Sequence, residues 1–329
     1  MSQKSLSNTA VITGILGQDG YHLTKLLLSK DYSVIGFIKH SSLDRINNFK
    51  KRFPSVELVS ADLLDSDSIV SALRKYRPNE IYNLGGASSV SESYSSPMSN
   101  FKINGLGTII LVEAIKASGL QQNVRLFQAS SSEMFGSTTK CPQTEETLFA
   151  PYSPYGVSKV FAHMSCARYR EEEGMFISCG IMYNHESEYR DPKYVTRKIS
   201  SGVAKIKAGQ VNSIILGDIS AERDWGYAGD YVEAMWKMLQ VAEPSDFVIA
   251  TGQSNSVNSF LVKILELAGL SSQIDEIVKF DDSLLRPNTG ERLIGDNSRA
   301  QRILEWAPKT SFEEIARIMF EHDMRILTR

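Results

Sequence analysis

The chain has 329 residues, 42% apolar and 22% charged, with 22 Gly, 10 Pro and a formal net charge of −2. This excludes a disordered or collagen-like chain and, at this length, calls for one large shared core or two packed lobes. The near-neutral balance argues against a nucleic-acid-binding surface, which would carry an excess of Lys and Arg. Cys141, Cys166 and Cys179 are too few and scattered for a disulfide framework, and without a Cys-x-x-Cys or His-x-x-x-His spacing no metal site is expected. No long uncharged apolar run is present, and the N-terminus soon enters a strand-like run. The expectation is a cytoplasmic protein with no signal peptide and no membrane association.

In chain order, β-branched runs alternate with helical patterns: strand Thr9 to Ile12, helix Gln18 to Lys30, strand Ser33 to Ile38, a polar helix, strand Glu57 to Ser60, helix Ser66 to Lys75, and strand Glu80 to Asn83. A long helix from about Pro97 to Ser118, a strand Arg125 to Ala129, a helix from about Ser153 to Glu173 and a strand Met175 to Met182 continue the pattern. The fold class is therefore α/β, a doubly wound parallel sheet of at least six strands. Beyond Asn184 the alternation becomes irregular, with strands near Ile214 to Leu216 and Phe247 to Ile249 and short helices ending in Phe312 to Ile326. No linker separates the parts, so the lobes are expected to interleave: 1–183 with about 219–250 as the nucleotide-binding lobe, and about 184–218 with 251–329 as the substrate lobe.

Directly after the first strand stands Gly14-x-x-Gly17-Gln18-Asp19-Gly20, and a helix follows. The first glycine permits a tight turn, the second lets backbone approach a pyrophosphate, and the third allows close helix–strand contact, with the anion on the helix N-terminus. At the end of the second strand a carboxylate would hold a ribose 2′-hydroxyl, but the residues are Lys39, His40, Ser41 and Ser42. A cation with two hydroxyls suits a 2′-phosphate, which favours NADP over NAD.

Tyr155-Gly-Val-Ser-Lys159 places a phenol and an ammonium on one helical face, where the cation can lower the phenol pKa. With 13 Tyr and 19 Lys, chance predicts about one Tyr-x-x-x-Lys pair, and four occur. Tyr21/Lys25 lies in the first helix, Tyr189/Lys193 in a loop containing Pro192, and Tyr194/Lys198 in the second lobe. Tyr155/Lys159 alone opens a long helix after the fifth strand, shortly beyond the polar run Gln128-Ala129-Ser130-Ser131-Ser132-Glu133. Doubly wound sheets place their active sites at such strand ends.

Over nearly its whole length the chain resembles the extended short-chain dehydrogenase/reductase superfamily and, within it, the GDP-mannose 4,6-dehydratase family. The resemblance lies in the glycine loop, in Glu80 to Leu84, in Gln128 to Glu133 and in Ser153-Pro154-Tyr155. More specific are Asn184-His185-Glu186-Ser187, Val195-Thr196-Arg197-Lys198-Ile199, Arg223-Asp224-Trp225-Gly226 and Asp246 to Gly252.

The resemblance implies a redox-neutral elimination. Tyr155, acidified by Lys159, takes the proton of the sugar 4-hydroxyl while C4 gives hydride to NADP⁺. Glu133 removes the C5 proton, water leaves from C6, and the hydride returns to C6. Ser131, where the family usually has Thr, holds the 4-oxygen. The resemblance further assigns Asp62, Leu63, Leu84, His185 and Arg190, beside the loop residues, to the cofactor. To a GDP-sugar it assigns Ser88, Asn184, Lys198, Leu216, Arg223, Arg286 and Glu291.

Ser89 stands where the family often has His, Ala87 replaces a larger side chain, and Glu188 to Asp191 replaces a Pro-Arg-Arg-Gly-like run. The expected sugar is accordingly mannose or a related hexose or heptose. The implied assembly is a homodimer through the helices near 97–118 and 153–173, or a tetramer. A nucleotide-sugar 4-epimerase or 4-keto reductase is the competing enzyme, and an NADP-sensing protein the non-enzymatic alternative.

Overall fold

The computed structural model describes residues 8–39, 41–284 and 292–328. Its centre is a seven-stranded sheet of β1 (Thr9–Thr13), β2 (Ser33–Ile38), β3 (Glu57–Ser60), β4 (Glu80–Asn83), β5 (Arg125–Ser131), β6 (Ile177–Met182) and β11 (Asp246–Ile249). The order β11-β6-β5-β4-β1-β2-β3, parallel throughout, reverses between β1 and β4. A strand covered on both faces reads as an apolar run rather than an alternation. In β1, Ala10 and Ile12 enter one core while Val11 enters the other.

The first core packs α1 (Gln18–Ser29), α2 (Leu43–Arg52), α9 (Ala228–Met238) and α12 (Ser298–Leu304) on the sheet, and the second packs α3 (Ser66–Tyr76), α6 (Gly107–Ala117) and α7 (Pro154–Glu173). A third core joins α8 (Val195–Lys207), α10 (Val257–Ala268) and α13 (Phe312–Leu327) around β8 (Ile214–Leu216) and β13 (Val278–Phe280). Smaller pairings tie this region to the sheet: β7 (Asn184–Glu186) runs parallel to β10 (Trp225–Tyr227), and β9 (Glu222–Arg223) pairs with β12 (Asn255–Ser256). Among the described residues no helix is long and apolar enough to cross a membrane.

Three elements differ from the sequence expectation. The strand at 246–249 is not isolated but joins the sheet beside β6. The fifth strand runs two residues further, to Ser131, which carries the polar run to the sheet's C-terminal edge. The helix expected from Pro97 to Ser118 is α5 (Pro97–Phe101), a π-helical turn over Lys102–Leu106 and then α6. Such turns insert one residue and gather at functional sites. Here the turn carries Asn104, whose amide holds both the N–H and the carbonyl of Ala87 and donates to the Ser158 hydroxyl of α7.

Candidate active site

The C-terminal edge of the sheet opens into a cleft of about 830 Å³, the size of a cofactor and substrate site. Ser131 and Glu133 stand on its floor beside Tyr155 and Lys159. The cleft is also lined by Gly14, Gly17, Gln18, Asp19, Gly20, Lys39, Ser41, Asp62, Leu63 and Leu84 from the strand ends, and by Ser88, Asn184, His185, Arg190, Lys198, Leu216 and Arg223 from the surrounding loops and second lobe. Ser42 is not on this wall, because its hydroxyl caps α2 by accepting the Arg45 N–H. Arg286 and Glu291 lie outside the described residues, as does His40.

Helix α7 starts where it does because Ser153 caps it, accepting the Gly156 N–H at 3.0 Å, and Pro154 occupies its first turn. This sets Tyr155 and Lys159 one turn apart at the cleft floor, both buried. A Cβ on Gly156 would lie 2.6 Å from the Glu133 carbonyl, so glycine there lets the β5 turn and the helix start touch. The Ser131 hydroxyl lies close enough to the Tyr155 phenol to lower its pKa, and the Glu133 carboxylate accepts from Tyr152 at 3.1 Å.

Electrostatics at Tyr155 correct one expectation. Burial drives the phenol pKa above its ordinary value; Ser131 and Arg190 pull it down, and the Glu133 carboxylate pushes it further up. Lys159 does not overcome this, since burial lowers its own pKa to about 8 and its ammonium turns to the Ala129 carbonyl at 2.9 Å. That carbonyl ends a buried polar ladder. Thr13 donates to Asn83 at 2.7 Å, Asn83 to Gln128 at 2.7 Å, and Gln128 to the same carbonyl at 3.2 Å, so the end of β1 and the lysine are held in one network.

At the reversal point, Gly14 has φ +68°, and a Cβ on it would lie 2.9 Å from Gly85. The turns after β1 and β4 therefore touch backbone to backbone, and a Cβ on Gly20 would fall 2.2 Å from the Ile15 carbonyl. These contacts fit the turn and packing roles expected of Gly14 and Gly20. His185 Nδ1 faces the Tyr183 carbonyl at 2.7 Å and its Nε2 faces Asp19 Oδ2 at 3.0 Å, two acceptors that favour the charged ring and raise its pKa against the burial that would lower it. Burial alone would raise the Asp19 pKa, but His185 outweighs it and brings it to about 2. At the end of β2, Lys39 pairs with Asp62 at 2.9 Å. Sequence position hid this pairing with Asp62, which arises because β3 lies alongside β2.

Two lining groups escaped the sequence reading. Arg45 reaches the glycine loop, donating to the Leu16 carbonyl at 3.0 Å beside Lys39 and Ser41. Tyr194, whose pair with Lys198 the sequence places in the second lobe, lines the cleft together with Lys193 and Lys198. The segment before α8 folds back over the cleft, which sequence spacing alone does not reveal.

The sequence profile of the GDP-mannose 4,6 dehydratase family matches residues 11–319. The GDP-mannose 4,6 dehydratase of Homo sapiens is 40% identical over 97% of this chain and 92% of its own. Among solved structures, RMD from Pseudomonas aeruginosa complexed with NADPH superposes with a TM-score of 0.80 at 23% identity, over 97% of this chain and 100% of that one. UDP-glucose 4-epimerase from Thermotoga maritima with UDP-glucose gives 0.85 at 22%, over 97% and 99%. The two structural likenesses establish the shared fold, and the full-length profile match together with the 40% identity shows that the chain belongs to the GDP-mannose 4,6-dehydratase family.

Proposed function

We propose that this chain is an NADP-dependent lyase that converts GDP-mannose, or a related GDP-hexose or heptose, into a 4-keto-6-deoxy sugar nucleotide. One observation carries the reading: the Glu133 carboxylate shares a pocket with Tyr155 and lies within electrostatic reach of its phenol. Epimerisation or keto reduction at C4 has no use for a carboxylate there, whereas dehydration needs a base for the C5 proton.

The residues present fit a nicotinamide dinucleotide. The glycine turn brings bare backbone to the α1 N-terminus, and Lys39, Ser41 and Arg45 gather at the end of β2 where a 2′-phosphate would lie. The Lys39–Asp62 pair is about half exposed and so contributes only about 0.2–1 kcal/mol, little enough to yield to a phosphate. When bound, the cofactor accepts hydride from C4 and returns it to C6. Tyr155 takes the 4-hydroxyl proton while Ser131 bonds the same oxygen, and the Lys159 ammonium, 5.8 Å from the Tyr155 ring centre, opposes without cancelling the burial that disfavours the phenolate. Glu133, oriented by Tyr152, removes the C5 proton and, now protonated, can give it to the departing 6-hydroxyl; C5 takes a proton from solvent once hydride has reached C6. Lys198 and Arg223 receive the diphosphate, while Asn184, Ser88 and Leu216 line the sugar and nucleoside side.

In this reading the lobes divide as 1–183 with about 219–250, and about 184–218 with 251–329. A homodimer forms through the exposed apolar face of α5 to α7, where Met98, Leu106, Phe161 and Met164 face outward. The test is incubation with GDP-mannose and substoichiometric NADP⁺, followed by NMR. A new C6 methyl beside a 4-ketone, in many-fold excess over cofactor, is expected. A 4-epimer, or a product formed only with stoichiometric NADPH, would overturn the reading.

A further inference from the structure

Resting on that reading, we infer that Tyr194 is a substrate-contacting residue of the sugar subsite, its phenol and the Ser88 hydroxyl together holding the hexose hydroxyl at C3. The Tyr194 and Ser88 oxygens lie 2.7 Å apart across the cleft, one from the residue preceding α8 and the other from the loop after β4. Both line the cavity. Tyr194 is also built into position: the Arg190 guanidinium sits 3.7 Å over its ring, and Arg190 is held at 3.1 Å by Glu186, a carboxylate only 2% exposed that also accepts from Thr196 at 2.6 Å. Next to it, Lys193 bridges Glu92 at 2.9 and 3.0 Å, which pins the same segment to α4 (Val90–Ser95), the short helix beyond β4.

Tyr194, Glu133 and Tyr155 line the same cleft, and both Glu133 and Tyr194 push the Tyr155 phenol pKa up. They reach it from different elements, Glu133 from the turn after β5 and Tyr194 from the second lobe. C4 has two ring neighbours. With Glu133 serving C5, the Tyr194–Ser88 pair is left to the other neighbour, C3. Two hydroxyls that bond each other in the free protein can open to receive a third between them, so the pair reads the presence of a sugar hydroxyl rather than the nucleotide.

Tyr194→Phe keeps the ring and its stacking on Arg190 and removes only the hydroxyl. Steady-state kinetics with GDP-mannose should show KM raised roughly tenfold and kcat little changed, while calorimetric affinities for GDP and NADP⁺ stay as in wild type. The wild-type preference for GDP-mannose over GDP-3-deoxy-mannose should shrink by the same factor in the variant. An unchanged KM, a preserved preference, or an equal loss of GDP affinity would overturn the inference, the last by revealing a purely structural role. Should the wild-type protein fail to dehydrate GDP-mannose, the dehydratase reading falls instead. The subsite is then judged by calorimetry alone: selective loss of GDP-mannose over GDP affinity in Tyr194→Phe supports it, and parallel affinities overturn it.

Discussion

The floor of the cleft, where β5 meets α7, and the segment 184–198 that folds over it treat buried charge in opposite ways. On the floor, the Lys159 ammonium is buried against a carbonyl, and the Tyr155 phenol is raised by burial beside the Glu133 carboxylate. In the covering segment, His185 faces Asp19, Arg190 faces Glu186 and Arg197 faces Asp323. A group that exchanges a proton during turnover needs a pKa that can move, and a tight counter-charge would lock it. A group that only attracts an anion or holds a wall in place gains from being locked. The contrast separates chemistry from positioning within one pocket.

The largest effect that could break the contrast is at Tyr155. Tyr155→Phe removes the proton acceptor and should cut turnover at least ~10³-fold, with NADP⁺ and GDP affinities within twofold by calorimetry. Tyr21→Phe should be silent, since Tyr21 stacks on Tyr189 away from the cleft and keeps that contact as Phe. In the covering segment, Glu186→Gln strands the Arg190 cation and should destabilise the fold by on the order of 3 kcal/mol in urea unfolding.

Lys159→Met should do the reverse on the floor, abolishing turnover while stabilising the fold by on the order of 1–3 kcal/mol at pH 7. The sign follows from burial, which lowers the lysine pKa from 10.5 to about 8. Between those values the unfolded chain binds the extra proton, so the wild-type protein gains stability from this group as pH rises from about 8 to 10.5. The Met variant lacks that gain, and the difference should narrow over that window in unfolding curves taken at several pH values.

The smallest effect is at the rim. Lys39→Ala should lower the preference for NADP over NAD by about 1 kcal/mol, because Arg45 and Ser41 remain. Asp62→Asn should raise NADP affinity slightly by freeing Lys39, as measured by cofactor titration.

What was legible in the sequence was what backbone physics forces. Gly14 needs its positive φ, Gly20 cannot carry a Cβ against Ile15, and Ser153-Pro154 marks the start of α7. Tyr155 could be selected by its place after the fifth strand, although its pattern occurs at four places in the chain. Neighbours made by topology were hidden. Asp62 reaches Lys39 because β3 pairs with β2, and Tyr194 enters the cleft because the segment before α8 folds back onto the β4 loop. The π turn at 102–106 leaves no hydrophobic period to read, so a continuous helix was the natural expectation. The phenol pKa was also missed, because a Tyr-x-x-x-Lys spacing carries no information about how deeply the pair is buried.

The central claim, that Glu133 turns C4 oxidation into dehydration, is tested most directly by isotope transfer with Glu133→Gln. Given GDP-mannose deuterated at C4, the wild-type protein should deliver the label to the C6 methyl and exchange the C5 proton with solvent. The variant should do neither at a measurable rate, a loss of ~10²–10⁴-fold, while reduced cofactor accumulates to no more than one equivalent. Near-normal C6 deoxygenation by the variant would contradict the account.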